Sequence, residues 1–168
     1  MGRFKTAIVV PAFNECKTIV GVIETLQQYG DVIIVDDGSS DLTGQIASKT
    51  SASVLSHKCN LGYEAALSTG IEYAINSDYS YVITTDADGE LQPTGIIEIK
   101  KKLKENNQIV IGSRISKNRL IESIFGKLCF FTHGISDPLC GMKGYSTELL
   151  KKYGFFENNK MIGTEILA

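Results

Sequence analysis

The 168-residue sequence has no CxxC pair, no run approaching the ~18 apolar residues of a membrane span, and no excess of positive charge. Each absence excludes something. Its four cysteines, Cys16, Cys59, Cys129 and Cys140, are scattered, which reads as reduced thiols that serve packing in a cytosolic protein. Lys+Arg 17 against Asp+Glu 19 gives a net charge of −2, and nothing resembles the basic patch of a nucleic-acid binder. The apolar run in MGRFKTAIVVPAFNE is too short for a signal peptide. Any membrane contact is therefore expected to be peripheral, at the cytoplasmic face. GxGxxG and GxxxxGK[ST] are both missing, so dinucleotide-binding and P-loop readings fall away. No internal repeat, low-complexity tract or linker divides the chain. Its length and 43% hydrophobic content describe one globular domain over residues 1–168.

What is present is an alternation of strand and helix patterns. TAIVVPA (6–12) is a buried-type strand closed by Pro11. Residues 15–28 place Ile19, Val22, Ile23 and Leu26 at helical spacing, DVIIVDD (31–37) is a second strand, and a capped helix is predicted over 42–49. A short strand at 51–56, a helix at 63–76 and the strand YVITT (81–85) follow. After Pro93 comes a helix with a basic outer face, then a strand at 108–113. This order predicts a mainly parallel sheet covered on both faces. Beyond Arg114 the pattern loosens into an apolar helix at 119–131 and a turn-rich stretch, 134–146, that ends in a short strand. The sequence stops at MIGTEILA in mid-helix pattern, which suggests a fragment or a reduced version of a longer design.

The polar surprises collect where strands end. PAFNE follows the first strand, DDGSSD the second, DADGE the fourth and GSR the fifth. In an open α/β sheet that edge is where ligands bind. Alternation brings Asp86, Asp88 and Glu90 to one side of an extended backbone, where like charges repel unless something cationic neutralises them. A hard divalent cation such as Mg²⁺ or Mn²⁺ suits such oxygens. A helix–loop–helix calcium loop does not fit, because Leu91 stands where its Gly is needed and Ile97 where its bidentate carboxylate is needed. A phosphatase with an aspartyl nucleophile would carry its DxD after the first strand, not the fourth.

PAFNE (11–15), VDDGSSD (35–41), DADGE (86–90), GSR (112–114) and DPLCGMKGY (137–145) resemble, in this order, the family-2 glycosyltransferases of the GT-A fold. The resemblance is closest to the branch of dolichol-phosphate mannosyltransferases and polyprenyl-phosphate glycosyltransferases. It implies a Rossmann-like GT-A domain that is short at its C-terminal end, with a nucleotide-sugar donor half (1–114) and a partial acceptor half (115–168). It also implies that Pro11, Phe13 and Glu15 line the nucleotide pocket and that Asp36 and Asp37 bind base or ribose. Asp86, Asp88 and Glu90 would hold Mg²⁺ or Mn²⁺ against the donor diphosphate. Arg114 would offset phosphate charge, and Lys143 matches the family's basic position and would bind the donor. Asp137 would act as general base toward a hydroxyl acceptor or, with a polyprenyl phosphate, position the donor sugar or hold the loop. Phe13 stands where the family often has Tyr, Glu90 where the mannosyltransferases often have Gln, and Cys140 where Ser or Thr is usual; Glu165 falls near the acceptor region. The implied function is metal-dependent, inverting sugar transfer from a UDP- or GDP-sugar to a polyprenyl phosphate or a cell-surface glycan. The alternative is a nucleotide-sugar-binding module impaired in turnover.

Plainer roles compete with several of these. Asp41 suits a helix cap. Gly62 and Gly70 suit a helix start and close packing. His57 and His133 suit structural or surface positions without a metal. Asp36 suits a turn-former beside a ligand-contacting Asp37. Leu120, Ile121, Ile124, Phe125, Leu128 and Phe131 make a broad apolar stripe, expected to be ordinary core or to be covered by a second copy or a membrane surface.

Overall fold

The computed structural model describes residues 4–88, 93–112 and 141–152. The elements in chain order are β1 (Thr6–Ala12), α1 (Ile19–Leu26), β2 (Asp31–Asp36), α2 (Thr43–Ala47), β3 (Ser53–Ser56), α3 (Tyr63–Asn76), β4 (Tyr81–Thr84), α4 (Pro93–Lys104), β5 (Ile109–Ile111), β6 (Lys143–Ser146) and α5 (Thr147–Lys152). The strands form one sheet in the order β3-β2-β1-β4-β6-β5. β1 runs parallel to both β2 and β4, and β2 runs parallel to β3. β6 is antiparallel to its neighbours β4 and β5. The expected parallel sheet is thus the first half of the chain, with one reversed strand beside it.

Every residue of β1 is buried, because helices cover both faces. Strand alternation sends Ile8, Val10 and Ala12 into one cluster with Ile19, Val22, Ile23 and Leu26 of α1 and Ile96, Ile99 and Leu103 of α4. Ala7 and Val9 enter the other cluster, with Ala66, Leu67, Ile71, Ala74 and Ile75 of α3. Each fully buried Ile or Leu of this kind stabilises the fold by roughly 1.5–3 kcal/mol. Gly70 sits where α3 crosses the sheet: a Cβ there would lie 2.4 Å from Val9 Cγ1 and 3.0 Å from Val35 Cγ2. Its absence lets the helix lie close, as the close-packing reading of that glycine anticipated.

β1 spans Thr6–Ala12, the predicted range, and runs through Pro11. Pro11 is tolerated because β4 pairs only with Thr6–Val9, so Pro11 has a sheet neighbour on the β2 side alone. Residues 15–18 form a separate turn before α1, in which the Thr18 hydroxyl donates to the Glu15 carboxylate at 2.7 Å and the Thr18 and Ile19 amides both donate to the Glu15 carbonyl. The helix predicted over 42–49 narrows to Thr43–Ala47.

The connection that matters for function runs from β3 through α3 to β4. It carries the chain from one side of β1 to the other, so strand order reverses between β1 and β4. That switch point lies at the carboxyl edge of the sheet, where open α/β folds bind ligands in a crevice.

Candidate active site

The loops after β1 and β2 are laced into one rim. Asn14, at φ +58°, accepts from the Ser40 amide at 2.9 Å on Oδ1, and its own N–H donates to Ser39 Oγ at 3.0 Å. The Glu15 amide donates to Thr43 Oγ1 at 2.8 Å. Thr43, fully buried, in turn donates through both its amide and its hydroxyl to Asp41. Asp41 therefore does the work of a cap for α2, as its plainer reading predicted, although Leu42 occupies the N-cap position. Those Thr43 bonds hold the Asp41 carboxyl down at about 2. Hydrogen bonding to Asp41, with burial, pushes the Cys16 thiol up.

Asp36 and Asp37 close β2 and face different tasks. Asp36 accepts from the Ser39 amide at 3.1 Å, a turn-forming bond, and its backbone carbonyl accepts from the His57 amide at 2.9 Å. Asp37 is 3% exposed. Its Oδ1 meets the Leu61 amide at 2.9 Å and His57 Nδ1 at 2.7 Å, and its Oδ2 accepts from the Gly62 amide at 2.8 Å. Burial alone would push the Asp37 carboxyl up, but these donors together hold it below its ordinary value. Residues 57–62 are thereby fastened to the end of β2. Gly62, at φ +97°, turns that fastened segment into α3, a conformation that favours glycine.

On the far side of β1 stands the DADGE loop. Asp86 is partly exposed and Asp88 exposed. Asp86 Oδ1 accepts from the Tyr63 hydroxyl at 2.9 Å. A Cβ on Gly141 would come within 2.1 Å of Asp86 Oδ2, so that oxygen lies against the backbone at 141. Burial, then the Asp86 charge, push the Tyr63 hydroxyl far above its ordinary range, so it remains a donor. Thr84 Oγ1 donates to the Gly141 carbonyl at 3.0 Å, and the Gly112 amide donates to the Met142 carbonyl at 2.9 Å. Gly112, the first residue of GSR, and the GMKGY segment therefore meet beside the end of β4. Register sets Lys143 opposite Thr84, two residues before Asp86.

Among the described residues no group of three or more His, Cys, Asp or Glu gathers to hold a metal. The donor set is instead a pair of carboxylates, Asp86 and Asp88, at a strand end. That fits a hard cation that completes its coordination with waters and substrate phosphate oxygens.

Of the residues singled out in the sequence, Pro11, Phe13, Glu15, Asp36 and Asp37 stand on the β1–β2 side of the crevice, and Asp86, Asp88 and Lys143 on the β4–β6 side. Phe13 is 45% exposed, whereas Pro11 is buried in the strand. Glu90, Arg114, Asp137, Cys140 and Glu165, together with His133 and the 119–131 stripe, lie outside the described residues. Sequence reasoning passed over Tyr63 and gave His57 no link to the site. His57 joins Asp37 to Thr69, with Nε2 2.9 Å from Thr69 Oγ1. Neither contact leaves a local signal, since the partners lie 20 and 23 residues away along the chain.

A half-parallel sheet whose carboxyl edge carries two acid-bearing loops around a switch point is the architecture of a GT-A glycosyltransferase domain. Residues 7–154 match Glycosyl transferase family 2, and the chain belongs to that family. A protein of Methanocaldococcus jannaschii is 37% identical over 161 residues, covering 86% of this chain and 66% of its own length. The UDP-N-acetylglucosamine–dolichyl-phosphate N-acetylglucosaminyltransferase of Methanococcus voltae is 29% identical over 176 residues, covering 86% of this chain and 70% of its own. Glucosyl-3-phosphoglycerate synthase from Mycobacterium tuberculosis, in a crystal with Mn²⁺, UDP and phosphoglyceric acid, matches with a TM-score of 0.71 at 25% identity. That match covers 87% of this chain and 57% of the synthase. The same synthase has also been crystallised with Mg²⁺ and UDP. This chain thus spans about two thirds of the first relative and little more than half of the solved structure.

Proposed function

We propose that the chain binds a nucleotide-diphosphate sugar in the β1/β4 crevice and belongs to an enzyme that transfers the sugar, with inversion, to a lipid-phosphate acceptor. The observation that carries this reading is the placement of two acid-bearing loops, 36–41 and 86–88, on opposite sides of the strand-order reversal. One loop suits a polar base and ribose, the other a charged diphosphate. Family membership and the dolichyl-phosphate activity named for the Methanococcus relative support the acceptor class.

In this reading Asp36 and Asp37 shape the base-side wall, and Phe13 lends an exposed ring beside it. Asp86 and Asp88, with Glu90, would hold a Mg²⁺ or Mn²⁺ ion. When bound there, a divalent cation offsets the negative charge that builds on the departing diphosphate. Lys143 and Arg114 would offset the phosphate charge, a stabilisation of the kind fixed cationic groups supply. Attack on the anomeric carbon opposite the leaving diphosphate inverts that centre. An ionised polyprenyl phosphate needs no base, so Asp137 would then orient the sugar; with a hydroxyl acceptor it would take the proton. Among the described residues no helix is long and apolar enough to cross a membrane.

The test has two steps. UDP and GDP are titrated calorimetrically with and without Mn²⁺, and the preferred nucleotide sugar is then incubated with Mn²⁺ and polyprenyl phosphate. Metal-dependent diphosphate binding followed by acceptor-dependent diphosphate release is expected. Failure of either diphosphate to bind would sink the donor-site reading, whereas binding without release would leave a binding module.

A further inference from the structure

Resting on the reading of Asp86 as a diphosphate-side ligand, we propose that Tyr63 is a positioning residue for Asp86. We further propose that the Asp37 clamp on the Leu61 and Gly62 amides sets where Tyr63 stands. The two acid loops are then one mechanical unit, joined through residues 61–63.

The geometry points this way from both ends. Asp37 holds two consecutive amides, at 2.9 and 2.8 Å, and the next residue along the chain is Tyr63, the first of α3. Gly62 between them sits at φ +97°, so the exit of the chain from the clamp into the helix has little latitude. The helix itself is seated on β1 and β2 by the close approach at Gly70. Tyr63 then donates to Asp86 Oδ1 at 2.9 Å. The other Asp86 oxygen rests against the backbone at Gly141, and Thr84 fastens that backbone through the Gly141 carbonyl. The carboxylate is therefore held on one side by a hydroxyl from α3 and on the other by the segment leading into β6. Rotation costs it a hydrogen bond in one direction and a steric clash in the other. A ligand held in place beforehand loses less freedom when it takes up a cation, which is why partners of ligating carboxylates affect metal affinity.

Tyr63→Phe tests this, because it keeps the ring and removes the one donor. Three quantities are read: the Mn²⁺ concentration that half-saturates binding of UDP or GDP, the affinity for uridine or guanosine without metal, and the melting temperature. The variant is expected to need about tenfold more Mn²⁺, with nucleoside affinity and melting temperature unchanged. A parent-like Mn²⁺ requirement overturns the proposal. Gly62→Ala, which strains the link while leaving both acid side chains in the sequence, is expected to raise the same requirement; a parent-like value there refutes the role of the clamp. Asp86→Ala separates this inference from the reading beneath it. If Asp86→Ala loses Mn²⁺-dependent binding while Tyr63→Phe does not, only the positioning role fails. If Asp86→Ala binds like the parent, or neither diphosphate binds the parent in Mn²⁺, the site reading and the proposal fail together.

Discussion

His57 Nδ1 lies 2.7 Å from Asp37 Oδ1, and hydrogen-bond counting fixes what that contact is. An ionised carboxylate can only accept, so Nδ1 donates. On the other side of the ring, Nε2 faces Thr69 Oγ1 at 2.9 Å, while the Thr69 hydroxyl already donates to the Ala65 carbonyl at 3.0 Å. The His57 ring therefore ties the end of β2, through Asp37, to Thr69 of α3.

Acid should loosen the rim between the loops after β1 and β2. Asp41 is held at about 2, against an ordinary 3.8, by its bonds from Thr43. A depressed folded-state value means the unfolded chain binds more protons across that interval, so stability rises with pH there. The Asp41 contribution is complete above about pH 4 and is lost as pH falls toward 2. The lowered Asp37 carboxyl acts in the same direction. Melting curves between pH 2 and pH 5 should show a steeper acid loss for the parent than for Asp41→Asn, which keeps an acceptor for Thr43 but does not titrate. Parallel curves would refute the assignment.

Much of this was readable in the sequence because two periodicities dominate it. β1, β2 and β4 are continuous apolar runs, as strands covered on both faces must be, and Ile19, Val22, Ile23 and Leu26 lie on the buried face of α1 as their spacing required. The acids announced themselves by standing at the ends of such runs. The reversed strand β6 was legible only as a short strand, because KGYS carries no mark of direction. The pairing of Tyr63 with Asp86 and of His57 with Asp37 was not legible at all. Both depend on where α3 lands on the sheet, and that follows from the steric gap at Gly70 and the turn at Gly62.

That gap can be probed directly. Gly70→Ala would place a methyl 2.4 Å from Val9 Cγ1 and 3.0 Å from Val35 Cγ2. Both neighbours are buried and β-branched, so neither yields easily. Overpacking of this kind costs about 1–3 kcal/mol, against a gain of up to about 1 kcal/mol from replacing a helical glycine with alanine. Net destabilisation is expected, seen as a melting temperature several degrees below the parent. A Gly70→Ala protein as stable as the parent would show that α3 can lift off β1 at little cost.

The two acid loops should fail differently when each loses its key carboxylate. Asp88 is exposed at the end of the β4 loop, so Asp88→Ala disturbs little of the fold. Its expected cost is about a hundredfold or more in Mn²⁺-dependent diphosphate affinity, with binding of the free nucleoside spared. Asp37→Ala removes the acceptor of the Leu61 and Gly62 amides and the partner of His57. These donors belong to exposed or half-buried residues, so each lost bond costs about 0.5–1.5 kcal/mol, and this variant should melt below the parent. It should also weaken the nucleoside and the diphosphate alike, because the base-side wall is built on that clamp. Calorimetry with nucleoside and diphosphate, paired with thermal melts, separates the two patterns. If Asp88→Ala loses the nucleoside as severely as the diphosphate, or Asp37→Ala keeps both ligands, the division of the crevice into a base side and a metal side is wrong.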